Sequence, residues 1–197
     1  MLVLRGAVVL LFMLSLPTWL VASNLRLVIN RVAFYEYEFQ KHEISSQAGI
    51  KQAELLKVPK GLIPYFESED KSIDLQVEVN GNKRQLFNEK EVAHLRDVKD
   101  LVRQSYRIQA MALAYMLGYF AVSYGLKGMS RLPGAAKLLV VSSVATVGLM
   151  AVIGLGVFLQ FDALFKQFHL LSFTNDFWLL DPRTDYLVRI FPAGFFY

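Results

Sequence analysis

The chain's capacity for chemistry rests on three histidines, His42, His94 and His169, and on the absence of cysteine. Lack of cysteine removes disulfides, thiolate nucleophiles and cysteine-based zinc or iron–sulfur sites together. No HExxH, GxSxG elbow, P-loop or GxGxxG opening a helix after a strand is present. What remains is imidazole chemistry: general acid–base catalysis, or metal binding helped by carboxylates. His94 has Glu91, Asp97 and Val98 as its i±3 and i+4 neighbours, and a carboxylate one turn away can hold an imidazole's Nδ1–H and set its tautomer. A helical histidine beside two acids is, however, more often a solvated surface residue.

His169 sits in FDALFKQFHLLSFTNDFWLLDPRTDYLVRIFPAGFFY, where Phe161, Phe165, Phe168, Phe173, Phe177 and Trp178 surround Asp162, Asn175, Asp176, Asp181 and Asp185. Aromatics beside an apolar helix usually form an interfacial belt. That does not explain the density of hydrogen-bonding groups among them, which must find partners if buried, as a structural network or a site. Asp181 and Pro182 suit a turn. His42, in a polar stretch, reads as exposed. Two histidines converging from different segments could hold zinc, with Asp97 or Asp176 as a third ligand, act as acid and base, or do neither. The economical candidate is an imidazole pair acting on a lipid-like substrate, with no metal and no cofactor. If the nucleophile belongs to the substrate, orienting two groups supplies much of the acceleration.

The elements that position these residues follow from where charge is missing. Of 197 residues, 54% are hydrophobic and 19% charged, against about a quarter charged in soluble domains. None of the 17 acids lies in 1–22 or 108–160; thirteen fall in 23–107 and four in 161–197. Three apolar segments emerge, at 6–22, Ile108–Leu126 and Leu138–Leu159, each able to span a hydrocarbon core of about 30 Å, the first with a flanking turn. The first reads as a retained anchor with Trp19 at the interface, although Leu20-Val21-Ala22 is a passable signal-peptide cleavage site. KGMSRLPGAAK, with Lys127, Arg131 and Lys137 and no acid, is a positive loop expected inside. The expected order is transmembrane helix 1 over 1–22, an extracytoplasmic cap over 23–107, helix 2 over 108–126, a cytoplasmic loop over 127–137, helix 3 over 138–159, and an outward aromatic-rich segment over 160–197. Both candidate histidines then face the outer leaflet. Basic and acidic residues nearly balance in 23–107, fourteen against thirteen, and there is no basic run or RNA-binding signature, so nucleic acid is not expected as a partner.

Within the cap, 24–41 lacks clear periodicity and reads as a mixed connection, and Ala48–Leu56 has helical composition ending before Pro59. LQVEVNGNKRQLF, at 75–87, alternates around Asn80-Gly81 as a hairpin does. Asn88 and Glu91 form a capping box opening a helix through Val92, Leu95, Val98, Leu101 and Val102 and on into the second apolar segment. The fold class is therefore a mainly α membrane protein, a transmembrane helical bundle with a small α+β extracytoplasmic cap. Small residues such as Gly118, Gly148, Gly154 and Gly156 would let its helices approach.

The blocks LFNEKEVAHLRDVKDLV and FDALFKQFHLLSFTNDFWLLDPRTDYLVRIFP closely resemble the bacterial lipoprotein intramolecular transacylase (Lit) family. The resemblance implies an integral membrane acyltransferase of the bacterial cell membrane, with its active site where cap meets membrane. Its substrate would be a diacylated bacterial lipoprotein, whose sn-2 acyl chain moves from the diacylglyceryl group to the α-amino group of its own N-terminal cysteine, giving the lyso form. The family's two catalytic histidines match His94 and His169. On this reading His94 is the base, made more basic by Glu91 or Asp97, and His169 the electrophilic partner, or the reverse. Asn175, Asp176 and Trp178, with Phe168, would orient His169 or line the substrate cavity. The family pattern also implies a fourth membrane helix, of which the residues after Asp185, with Pro192 in a first turn, would be the start. A non-catalytic membrane adaptor or assembly protein and a membrane lipid hydrolase are the alternatives.

Overall fold

A computed structural model of the chain describes residues 2–127 and 132–196, so Arg131 of the expected basic loop lies outside the described residues. The protein is mainly helical, with one two-stranded antiparallel sheet. In chain order it contains α1 (Leu2–Ile29), α2 (Val32–Lys41), α3 (Ile44–Ala48), α4 (Gln52–Leu55), α5 (Lys57–Glu67), β1 (Gln76–Val79), β2 (Asn82–Gln85), α6 (Glu89–Lys127), α7 (Leu132–Ser172), α8 (Tyr186–Ile190) and a 3-10 turn at Ala193–Phe196. It divides into two compact units, Met1–Leu27 with Gln104–Gly156, and Val28–Arg103 with Val157–Tyr197.

The first unit is built from helical rods whose large apolar side chains are mostly exposed, among them Met111, Leu117, Val147 and Val152 at 60–71% of their maximum. Among the described residues two stretches are long and apolar enough to cross a membrane, Gly6–Ile29 and Ala136–Ser172. Ile108–Leu126 is helical throughout as part of α6 but is not one of the two. Phe12 is fully buried, its ring 4.4 Å from Tyr119 and 5.7 Å from Phe120. The Tyr115 hydroxyl donates to the Val8 carbonyl (2.9 Å), Gln109 Nε2 donates to Ser23 Oγ (2.8 Å), and the Arg26 guanidinium lies over the Tyr106 ring. Ser142, Ser143 and Thr146 return their hydroxyls to carbonyls one turn back, so their polarity costs little in an apolar helix.

The second unit packs α2 to α5, the hairpin and α8 around Phe39, Ile44, Ile50, Leu55, Val58, Val77, Leu86 and Ile190, each at most 2% exposed. The hairpin forms as its Asn-Gly pair requires: Asn80 (φ 50) and Gly81 (φ 82) both take positive φ, and Val79 pairs with Asn82. An aromatic group of Tyr35, Phe39, Phe191 and Phe195 ties α2 to the end of the chain.

Several expectations are corrected. Residues 24–41 are not a mixed connection: α1 continues to Ile29, and α2 buries Tyr35, Glu38 and Phe39. The polar Glu38 on the inward face hid the helical period. No single helix covers Ala48–Leu56: α3 ends at Ala48, where Gly49 turns left-handed (φ 68) and Ile50 bridges to Val79, and only Gln52–Leu55 is helical, as α4; α5 then carries Pro59 in its first turn, where an absent N–H breaks no helical hydrogen bond. Residues 132–137, expected in a loop, form the start of α7, with Pro133 in the first turn. Near the chain's end, α8 stops at Ile190, and Pro192 precedes the 3-10 turn at Ala193–Phe196. Finally, α7 is broken at Gln160 (φ −144, ψ 41), which separates the rod of 132–159 from a short helical piece carrying His169.

Gly49 and Gly81 share positive φ but differ in surroundings. A Cβ at Gly49 would sit 2.5 Å from Asn80 Oδ1, whereas one at Gly81 would meet nothing within 4 Å. Gly81→Ala is expected to cost about 1–2 kcal/mol, the left-handed penalty alone, and Gly49→Ala measurably more. Thermal unfolding of both variants in detergent tests this, and equal losses would refute the steric part.

Candidate functional site

The site begins at the N-terminus of α6. Asn88 Oδ1 accepts the Glu91 N–H (3.0 Å) and Glu91 Oε2 accepts the Asn88 N–H (2.8 Å), the reciprocal capping box that the sequence predicts. The second Glu91 oxygen takes the Leu187 N–H of α8 (2.5 Å). Asn88 Nδ2 donates to Asp185 Oδ1 (2.9 Å), whose other oxygen accepts the Asp181 N–H (2.7 Å). Glu91 is 1% exposed. Burial pushes its carboxyl above the usual carboxylate range and Asp185 adds to this, against the opposing pull of the backbone N–H groups. Glu91 thus anchors the start of α6 to the C-terminal segment through backbone groups.

One turn further on, His94 is 6% exposed and its Nδ1 is buried without a hydrogen-bond partner. Burial first, then the neighbouring His169, lower its pKa to about 4, with Asp97 acting in the opposite direction. His169 comes from the helical piece beyond Gln160 and is 8% exposed. The two imidazole centroids are 6.0 Å apart with planes inclined at 30°. His169 Nδ1 lies 2.7 Å from the Phe165 carbonyl oxygen. A carbonyl only accepts, so this bond assigns the proton to Nδ1 and leaves Nε2 of the neutral ring with its lone pair.

An aromatic wall encloses the pair. Phe173 stands 5.1 Å from His94 and 5.6 Å from His169, while Phe165, Trp178 and Phe168 lie 4.4, 5.0 and 5.4 Å from His169. Asn175 Nδ2 donates to Asp97 Oδ2 (2.9 Å), and its Oδ1 accepts the Phe177 N–H (3.0 Å). Of the residues singled out in the sequence, the structure brings together His94, His169, Trp178 and Phe168, the last with 46% of its surface exposed. Asp97 and Asn175 pair beside them. Asp176 is exposed, its carbonyl accepting from Leu179 to close the turn. Among the described residues no group of three His, Asp or Glu side chains is placed to hold a metal ion.

His42 is not the exposed residue expected. It is half-buried, with Nε2 3.2 Å from Glu38 Oε2 and its ring against Gly194. Sequence reasoning passed over Phe173 and Phe165 as belt residues. Their signal was spacing: Phe165 precedes His169 by four, placing its carbonyl within reach of the ring, and Phe173 follows by four.

The fold has solved counterparts. An in meso structure of the membrane integral lipoprotein intramolecular transacylase Lit from Bacillus cereus is 20% identical, aligns over 100% of this chain and 85% of its own, and superposes with a TM-score of 0.74. A histidine-to-alanine variant of that protein gives 0.73 at 20% identity, over 99% of this chain and 84% of its own. No curated protein matches the sequence. The family model described as lipoprotein intramolecular transacylase Lit matches residues 10–196. This is the family that the two sequence blocks around His94 and His169 resemble, and the chain belongs to it.

Proposed function

We propose that the protein is a multi-pass enzyme of the bacterial cell membrane that moves the sn-2 acyl chain of a diacylglyceryl-modified lipoprotein onto the α-amino group of the same molecule's N-terminal cysteine. The carrying observation is the meeting of His94 and His169, from segments 75 positions apart, as two buried imidazoles 6.0 Å apart in an aromatic pocket. In the proposed topology Ile108–Leu126 is a third crossing and the histidines face the extracytoplasmic side. The exposed apolar side chains Met111, Leu117 and Val122 support its contact with lipid.

In the reaction the amine nitrogen attacks the ester carbonyl carbon, the new C–N bond forms, the bond to the glyceryl oxygen breaks, and one proton passes from nitrogen to that oxygen. His169 is the better base, reversing the assignment favoured from the sequence. Its Nδ1–H is committed to Phe165, so Nε2 can accept the proton and return it to the leaving oxygen. His94, held neutral by burial, is a poor proton store but can donate a hydrogen bond from a neutral ring to the developing oxyanion. Glu91 is engaged by backbone N–H groups and offers His94 no extra basicity. Burial of both imidazoles favours transfer over hydrolysis, because little water competes with the substrate's own amine.

Replacing either His94 or His169 by Ala is expected to reduce kcat/KM by about 10²–10⁴-fold, read by mass spectrometry of the N-terminal lipopeptide. Full lyso-lipoprotein formation by both variants would overturn the histidine mechanism, and free fatty acid without N-acylation would favour the hydrolase. A separate prediction concerns stability. His94 binds a proton less readily folded than unfolded, so stability is lost as pH falls from about 6.5 towards 4, where the unfolded state takes up the proton first. His94→Gln should therefore flatten the fall in apparent Tm over that window. An unchanged slope would show that His94 is not buried neutral.

A further inference from the structure

We propose that Asp97 and Asn175 form a positioning pair that sets the distance between the two imidazoles; this rests on the histidine mechanism just described. Asp97 lies on α6, three residues after His94. Asn175 lies in the turn after α7, six residues beyond His169. The hydrogen bond from Asn175 Nδ2 to Asp97 Oδ2 (2.9 Å) therefore joins the two histidine-bearing segments one helical turn from the pair. The Asn175 amide has a fixed sense, because its oxygen accepts the Phe177 N–H and only its NH₂ can face the carboxylate. The same turn begins with Phe173, which touches both imidazoles, and ends with Trp178 against His169. Tying this turn to α6 fixes Phe173 as a spacer and Trp178 as a backstop. Such a bond acts on the rate through geometry, since misplacement by about 1 Å can cost about 100-fold. Substrate binding is governed chiefly by the acyl chains and glyceryl ester, which need not touch either side chain.

The experiment measures initial rates of N-acyl lyso-lipopeptide formation by the full chain in detergent, across concentrations of a synthetic diacylglyceryl-cysteine lipopeptide. Asp97→Ala and Asn175→Ala are each expected to lower kcat by about 10- to 100-fold with KM within about twofold. Asp97→Asn keeps an oxygen acceptor for Asn175 and should lose at least about fivefold less than Asp97→Ala. The exchange Asp97→Asn with Asn175→Asp rebuilds the bond with donor and acceptor reversed, and should recover kcat to within about threefold of wild type. Either alanine variant at wild-type kcat, a loss appearing in KM alone, or a folded exchange variant as slow as the single ones overturns the pair. If the exchange variant unfolds, Asp97→Asn decides: a loss as great as that of Asp97→Ala overturns it. His94→Ala and His169→Ala, measured alongside, separate the two levels. If they are inactive while Asp97 and Asn175 variants run at full rate, only the positioning role fails; if they are active, the histidine mechanism fails with it.

Discussion

Two imidazoles from distant parts of the chain have to be held close together where almost no water reaches them, and that constraint governs the surrounding structure. Buried polar groups are tolerated only when paired. Every polar side chain that brings the two segments together is accordingly paired through the backbone or another side chain: Glu91 to Asn88 and Leu187, Asn88 to Asp185, Asp97 to Asn175, His169 to Phe165. Lys90 adds a bond to the Leu179 carbonyl. Against this background the unpartnered Nδ1 of His94 stands out. A native interior leaves few such atoms, and one on a ring 6.0 Å from a second histidine is where an incoming polar group has something to gain.

The same pressure explains the helices. A single uninterrupted α7 of 41 residues would run about 60 Å at 1.5 Å per residue, twice a hydrocarbon core. The backbone leaves helical geometry at Gln160, which ends that run before the piece carrying His169. Capping at Asn88 does comparable work for α6, fixing where the helix starts and therefore the rotation at which His94 emerges one turn later.

The parts of this arrangement that depend on neighbours in sequence could be read directly. The hairpin at Asn80-Gly81, the capping box and the helical phase of Val92 to Val102 are set within four residues of themselves. The sequence also singled out His94 and His169, and the structure places their rings 6.0 Å apart. What could not be read depends on distant partners. Glu38 occupies an inward position of α2 because Lys41 and His42 meet it, which no periodicity scan can count as helical core. Glu91 looked like a carboxylate for His94, since spacing cannot reveal that α8 delivers a backbone N–H to it from 96 residues away. The break at Gln160 falls where the sequence ends the third apolar segment, although neither proline nor glycine marks it.

The electrostatics of the pair bear on the number of protons it can hold. At 6.0 Å in a largely apolar pocket, two imidazolium rings would repel strongly, and His169 is one cause of the lowered His94 pKa. Repulsion of this kind opposes protonating both rings at once. Acyl transfer from oxygen to nitrogen needs one proton in transit, taken from the amine and given to the glyceryl oxygen, with no net gain or loss. Under the proposed mechanism, two rings that disfavour joint protonation suit a reaction that moves a single proton. The Phe165 carbonyl fixes the orientation of the His169 ring and commits its Nδ1–H, so its Nε2 is the nitrogen left free to exchange a proton with a bound group.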